Sequence, residues 1–485
     1  MTNPHANLLS ATPHELLING QWRPAARGEQ FTVEDPATEE ILASVANATV
    51  DDALAALDAA AHAQDAWAAT APQDRGEILR RAFDLLTAHA ERYATLITLE
   101  MGKPLAESRG EVAYAAEFFR WFASEATRVS GENRREPGGA FRILTSRQPV
   151  GPSLLITPWN FPLAMATRKL GAALAAGCTT ILKPAEQTPL TALSLAETLR
   201  EAGVPTGVVN VITTTDAAAV SHALMDDRRL RKVSFTGSTE VGRILVRQSA
   251  GQLQRLSMEL GGNAPFIVFA DADLEAAIEG ALIAKLRNGG ESCVAANRFL
   301  VQRPLLAEFS SRLANAMAEY PLGPGLTPGV RVGPLIDDGA RRKVTTLVDD
   351  ARARGARVLI GGERPSGPGY FYQPTVLSDV DPHAVILDQE IFGPVAPIAA
   401  FDSDDDALRM ANASDAGLVA FIFTESLRRA HHVIDSLDVG MVGVNRGVVS
   451  NAAAPFGGVK QSGFGREGGR EGIEEYLSVK YAAVN

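Results

Sequence analysis

LLITPWNFPLAMATRKLGAALAAGCTTILK, residues 154–183, sets a short β run, a helix and a second β run one after another. Working outward, the alternation continues. A helix begins near Pro189, VVNVIT (208–213) reads as a strand, a helix runs through Val220, and KVSFTG (232–237) leads into the helix STEVGRILVRQ (238–248). Strand and helix alternating at this spacing specify a parallel sheet covered on both faces, with ligands bound at the carboxyl ends of its strands. Thr157 to Asn160, Lys183 to Glu186 and Gly237 to Ser238 therefore fall on one rim.

Towards the N-terminus, residues 14–47 carry short strand-like runs broken by turn signals. Thr49 is placed to cap a helix over DDALAALDAAAHAQDAWAA, and helical patterns follow around Arg75–Glu100 and Glu107–Val129. FRILTSRQPVG (141–151) reads as strands. Beyond ELGG (259–262) a second α/β block runs through APFIVF, the helix DLEAAIEGALIAKLRN, RFLVQ and a Gly- and Pro-rich connection from Pro321 to Pro334, ending near Val444. After a glycine-rich tail, EEYLSVKYAAV (474–484) reads as an edge strand, for which an intersubunit sheet is one partner.

A chain of 485 residues with 46% hydrophobic content supports two or three cored domains. Its net charge of -11 is spread out, with no basic block to follow a phosphate backbone, so nucleic acid is not an expected partner. No apolar run approaches the roughly 20 residues that span a bilayer, and the N-terminus has neither a cationic start nor a continuous apolar stretch, so no membrane association and a cytoplasmic location are expected. Two cysteines 115 residues apart and eight scattered histidines give no disulfide framework and no metal motif.

One of those cysteines, Cys293, lies in NGGESCVAANR (288–298) among small or polar neighbours that leave the sulfur approachable. It reads either as a nucleophile or as an inert buried thiol. Asn160, between two prolines in TPWNFP, reads as an oxyanion donor or a turn former. Glu259, ahead of two glycines, is a free carboxylate or a surface acid. FTGSTEVGR offers a helix N-terminus to an anion, or a plain capped turn. In LKPAEQTP, Lys183 and Glu186 can donate to and accept from ribose hydroxyls. The one GxGxxG, Gly463 to Gly468, follows no clear strand and has too little chain after it for a dinucleotide-binding βαβ unit.

TPWNFP, LKPAEQTP, FTGSTEVG, MELGGNAPFIVF, NGGESC, EIFGPVAP and PFGGVKQSGFGREGG occur in this order, and together they resemble the aldehyde dehydrogenase superfamily across nearly the whole chain. The resemblance implies two doubly wound α/β domains, NAD-binding (1–128 and 148–260) and catalytic (261–445). It adds a small β oligomerisation element (129–147 and 470–485), an active-site segment at 446–469, and a homodimer or homotetramer. It makes Cys293 the nucleophile, Glu259 the general base, and Asn160 with the Cys293 N–H the oxyanion hole, with no metal. Thr157, Trp159, Lys183, Glu186, Gly237, Ser238, Gly242, Glu390 and Phe392 would hold the cofactor. Glu186 favours NAD, since a carboxylate accepts from the ribose 2′-hydroxyl and repels a 2′-phosphate; NADP is the alternative. Arg168, Arg298 and Ser450 match positions that hold the distal carboxylate in succinate-semialdehyde dehydrogenases, and Phe456 would also contact the substrate, so succinate semialdehyde or a similar acidic aldehyde is the expected substrate.

The sequence departs from the family at Glu291, where Gln is more usual, and an acid two residues from the thiol would disfavour the thiolate. Ala295 replaces the second cysteine of some relatives, so no redox lock is expected there, and Cys178 reads as core filler. The rivals are a glutarate-semialdehyde or broad-specificity aldehyde dehydrogenase, a CoA-acylating enzyme with no need of a base for water, a thiol hydrolase, and a silent structural relative.

Overall fold

A computed structural model describes residues 5–485; the first four residues of the 1–128 segment lie outside the described residues. Local chemistry sets the element boundaries. The helix Val50–Ala69 starts at a capping box in which Thr49 and Asp52 satisfy each other's free N–H groups. The helix Pro162–Ala176 stops at Gly177, whose φ of 90° is left-handed. The pattern around Arg75–Glu100 is two helices, Pro72–Ala88 and Ala90–Met101, broken at His89.

The alternating block folds into an eight-stranded sheet. Its order is Gln21–Arg23, Leu16–Ile18, Val209–Val211, Thr180–Lys183, Ser153–Ile156, Lys232–Thr236, Arg255–Glu259 and Gly463–Phe464. The five strands from Val209–Val211 to Arg255–Glu259 are mutually parallel and the outer pairings antiparallel. Ser153–Ile156, Thr180–Lys183 and Lys232–Thr236 are buried throughout, as strands covered on both faces must be. Strand order reverses between Ser153–Ile156 and Lys232–Thr236, where such sheets open a crevice.

The second block forms a seven-stranded sheet, in the order Arg357–Ile360, Thr375–Ser378, Val395–Phe401, Ala296–Gln302, Ala264–Val268, Val419–Phe423, Met441–Val444. All its pairings are parallel except the first. The C-terminal strand Leu477–Val484 finds its partner within the chain, pairing antiparallel with Arg142–Pro149, and Asn133–Arg135 completes a three-stranded sheet. Leu477–Val484 remains an edge, with Val479 and Tyr481 exposed.

The GxGxxG is also explained here. Gly463 has φ 105°, and a Cβ on it would lie 1.9 Å from the Met258 carbonyl, so glycine lets the tail press against the strand Arg255–Glu259. Cys178 is fully buried, its Sγ donating to the Tyr476 carbonyl. Among the described residues no helix is long and apolar enough to cross a membrane, and no group of three His, Cys, Asp or Glu is placed to hold a metal ion.

Candidate active site

A cleft of about 450 Å³ opens where the carboxyl ends of the first sheet's strands meet the turns that lead into the strands Ala264–Val268, Ala296–Gln302 and Val395–Phe401 of the second. Cys293 lines it, half-buried, in the turn between the helix Leu274–Leu286 and the strand Ala296–Gln302. That turn is tight: Asn288 (φ 57°) and Gly289 (φ 60°) are both left-handed. A Cβ on Gly262 would sit 2.2 Å from the Cys293 carbonyl, so ELGG reaches the Cys293 backbone only because it ends in glycine.

Asn160 is buried on the same cleft. One hydrogen of its Nδ2 is donated to the Glu291 carbonyl at 3.0 Å, which leaves the other for a ligand. Glu259 ends its strand in register with Thr236, and neither of its buried oxygens has a protein partner among the described residues. Its Oε1 faces Gly457, where a Cβ would lie 2.9 Å away, so the carboxyl stands behind the cleft wall. Burial, and then Glu467, push it well above the ordinary carboxyl range against Arg168 and Lys169.

Burial pushes the Cys293 thiol up to about 12; Arg168 and Arg287 pull it down, Glu390 and Glu259 push it up. Glu291 is not the acid that matters: its Oε1 accepts the Ile336 N–H at 3.0 Å, away from the sulfur. Because the thiolate fraction grows tenfold per pH unit below the pKa, iodoacetamide alkylation of the free enzyme is expected to accelerate about tenfold per unit between roughly pH 7 and 10 without levelling. A plateau below about pH 9 would show that burial does not govern this thiol.

The two arginines expected at the substrate end part company. Arg168 lines the cleft, its guanidinium 4.4 Å from the Phe456 ring centroid, and its Nε lies 2.6 Å from Glu467 Oε2 as an ion pair without hydrogen-bond alignment. Arg298 is elsewhere. It is buried, with Nε, Nη1 and Nη2 donating to the carbonyls of Asn263, Met410 and Ala411 at 3.0, 2.8 and 2.9 Å. Burial, against Asp388, lowers it to about 10. It ties the strand Ala296–Gln302 to its neighbours and does not line the cleft. The second cleft arginine is Arg287, which opens the turn six residues before Cys293. It donates to Ser450 Oγ at 3.3 Å, lies 5.0 Å from the Phe161 ring centroid, and has no carboxylate ion-pair partner among the described residues. Its signal in the sequence was the charge at the end of an apolar helix, LIAKLR.

The remaining residues divide in the same way. Trp159, Gly237, Ser238, Glu390, Phe392, Ser450 and Phe456 line the cleft. Ser238 caps the helix Thr239–Ser249, accepting from Val241 N–H at 3.3 Å. Glu390 accepts the Gly262 N–H at 3.0 Å and is raised to about 7 by burial. Phe392 has φ 55°, costly for a side-chain-bearing residue, and meets Trp159 edge to face at 5.3 Å. Gly242 lies outside the cleft: it lets its helix approach Leu260, whose Cδ2 would be 2.5 Å from a Cβ there. Lys183 and Glu186 are also outside, 3.5 Å apart, with Glu186 in a separate depression beside Gln187 and Thr215. Thr157 is buried, its Oγ1 unpaired, as is that of Thr236. A helix N-terminus and two orphaned hydroxyls at the reversal of strand order fit a dinucleotide.

A thiol, an amide and a free carboxyl gathered beside such a nucleotide crevice are the equipment of a cysteine-dependent oxidoreductase. The profile of the aldehyde dehydrogenase family matches residues 22–482, and the chain belongs to that family. It is 57% identical over 444 residues to a succinate-semialdehyde dehydrogenase of Paenarthrobacter nicotinovorans, covering 92% of this chain and 99% of the relative. It is 48% identical to the Escherichia coli (strain K12) succinate-semialdehyde dehydrogenase NADP(+) GabD, covering 97% of each. The crystal structure of succinate-semialdehyde dehydrogenase from Burkholderia pseudomallei superposes with a TM-score of 0.97 at 44% identity, over 100% of this chain and 99% of that one.

Proposed function

We propose that this enzyme oxidises succinate semialdehyde to succinate with NAD(P)+, preferring NAD+. The observation that carries the substrate is the pair Arg168 and Arg287 with Ser450 in the cleft that holds Cys293. Two guanidinium forks and a hydroxyl suit a carboxylate at the far end of a short aldehyde. Similarity to the two relatives of that name supports the same reading.

In this mechanism the Cys293 thiol first gives its proton to solvent, and the thiolate sulfur then bonds to the aldehyde carbon as the carbonyl π pair moves onto oxygen. Asn160 Nδ2 and the Cys293 N–H donate to that oxyanion, which needs fixed donors in a dry site. Bound nicotinamide supplies the hydride acceptor, and Trp159, Glu390 and Phe392 would hold it. The oxygen's electron pair re-forms the carbonyl as the hydride leaves, giving a thioester on Cys293. Glu259 then takes a proton from water as the water oxygen attacks the thioester carbon, and collapse expels the sulfur and releases the acid. The presence of Glu259, a base for which a CoA-acylating route has no need, speaks for water over CoA as the acyl acceptor.

Glu186 supports the cofactor preference, because its carboxylate, whose ion-pair partner among the described residues is Lys183, would repel a 2′-phosphate. Of the described residues, 5–128 and 148–260 form the nucleotide domain, 261–445 the catalytic domain, and 446–469 the active-site segment that runs from the second back to the edge of the first sheet. Residues 129–147 and 470–485 present the exposed Leu144, Val479 and Tyr481 to a second subunit, making a homodimer or homotetramer, and we place the enzyme in the cytoplasm. NADH formation across a panel of aldehydes, with NAD+ and NADP+ and with and without CoA, is the test. The expected order puts succinate semialdehyde above glutarate semialdehyde, acetaldehyde and benzaldehyde in kcat/KM. A higher kcat/KM for acetaldehyde or benzaldehyde would overturn the substrate; equal efficiency with both cofactors would overturn the preference.

A further inference from the structure

The geometry points to Lys103 and Glu111 as a buried positioning pair that sets the amide of Asn160, an inference that rests on the oxyanion role given to Asn160 above. Lys103 sits in the turn between the helices Ala90–Met101 and Leu105–Glu125, and both side chains of the pair are almost fully buried. Its ammonium lies 2.6 Å from Glu111 Oε2, donates to the Asn160 carbonyl at 2.7 Å and stands 4.0 Å from the Phe161 ring centroid. Glu111 grips the other side of the same segment: its Oε1 accepts the N–H groups of Leu163 and Ala164 at 2.9 and 3.2 Å. The pair therefore clamps the chain on either side of Phe161–Pro162.

The same carbonyl meets the nucleophile's turn. Asn288 Nδ2 donates to the Asn160 carbonyl at 3.0 Å and to the Glu291 carbonyl at 2.9 Å, and that Glu291 carbonyl also accepts from Asn160 Nδ2. Asn160 thus has its main chain fixed by two donors and one side-chain hydrogen fixed by the Cys293 turn, which aims the remaining hydrogen. A buried Lys–Glu pair gives little net stability over apolar residues of similar size, so its directional donors are what it adds here. An oxyanion donor works only if held in place before the charge appears, and a displacement of about 1 Å can cost ~10²-fold.

The experiment is a double-mutant cycle between Lys103→Met and Asn160→Ala, read by the pre-steady-state NADH burst with succinate semialdehyde. Expected are a burst slowed roughly 100-fold in Asn160→Ala, about tenfold in Lys103→Met, and within ~2-fold of Asn160→Ala in the double mutant, since a residue acting through another has nothing left to move. Alkylation of Cys293 by iodoacetamide, which develops no oxyanion, should stay near the wild-type rate in all three. A double mutant slowed by the product of the two factors, or a wild-type burst in Lys103→Met, would overturn the positioning role. A wild-type burst in Asn160→Ala would instead remove Asn160 from the oxyanion hole, and the positioning role with it. If Lys103→Met does not fold, the neutral pair Lys103→Met/Glu111→Gln takes its place under the same criteria.

Discussion

Glu259→Gln is expected to release one equivalent of NADH per active site at close to the wild-type rate and then to stop. Glutamine keeps the shape of the side chain but cannot accept a proton, so the loss should fall on hydrolysis of the thioester alone, by roughly 10²–10⁴-fold. The structure favours a clean result. Neither carboxyl oxygen of Glu259 has a protein partner, so the substitution breaks no hydrogen bond among the described residues. The same burial gives a pH signature. A carboxyl raised well above its ordinary range is a base only above that raised pKa, so hydrolysis in the wild-type enzyme should climb with pH and level once Glu259 ionises, whereas the burst, which follows the Cys293 thiol, keeps climbing. A Glu259→Gln enzyme that cycles at the wild-type rate would take this carboxylate out of the mechanism.

Arg287→Ala should raise KM for succinate semialdehyde about 100-fold while changing that for a neutral aldehyde of similar length less than ~3-fold. A hydrogen bond to a charged group is worth about 1.5–3 kcal/mol, which spans that range. Arg287 is the arginine to test because, among the described residues, no carboxylate lies within ion-pair distance of it, whereas Arg168 is already balanced by Glu467. Burial opposes the charge of Glu467, but Lys169 and Arg168 outweigh it and hold its carboxyl below the ordinary range. Arg298→Ala is the internal control: it strips the donors from three carbonyls and should lower the melting temperature without discriminating between acidic and neutral aldehydes. Equal KM changes for both aldehydes in Arg287→Ala would contradict the carboxylate site.

The contrast between Arg287 and Arg298 shows what the sequence can carry. The regular strand-helix alternation, the cap at Thr49 and the glycine-lined approach to Cys293 are local patterns, and they fold as read. Asn160 and Cys293 were each left with two readings by their own segments, and it was the run of ordered motifs, not either segment, that pointed to the cleft they share. The direction of a side chain leaving an element was not legible. Arg298 lies inside a strand, and its position there sends it behind the sheet to the carbonyls of 410–411; Arg287 leaves a helix end and faces the cleft. Gly242 and Glu291 were misread for a related reason: each answers to a neighbour distant in sequence, Leu260 for the first and Ile336 for the second.

Gly463–Phe464 lies along the very strand that ends in Glu259, and Glu467 neutralises Arg168 and Lys169, the latter from 298 residues further along the chain. A ribosome delivers that segment after every other strand of the first sheet. Before it docks, the first sheet has an open edge, two cations lack their counter-ion, and Ser450 and Phe456 are missing from the cleft. The cleft is therefore complete only after residues 450–467 have been made, well over a hundred residues after the Cys293 thiol, and a nascent chain carries that sulfur before its surroundings exist.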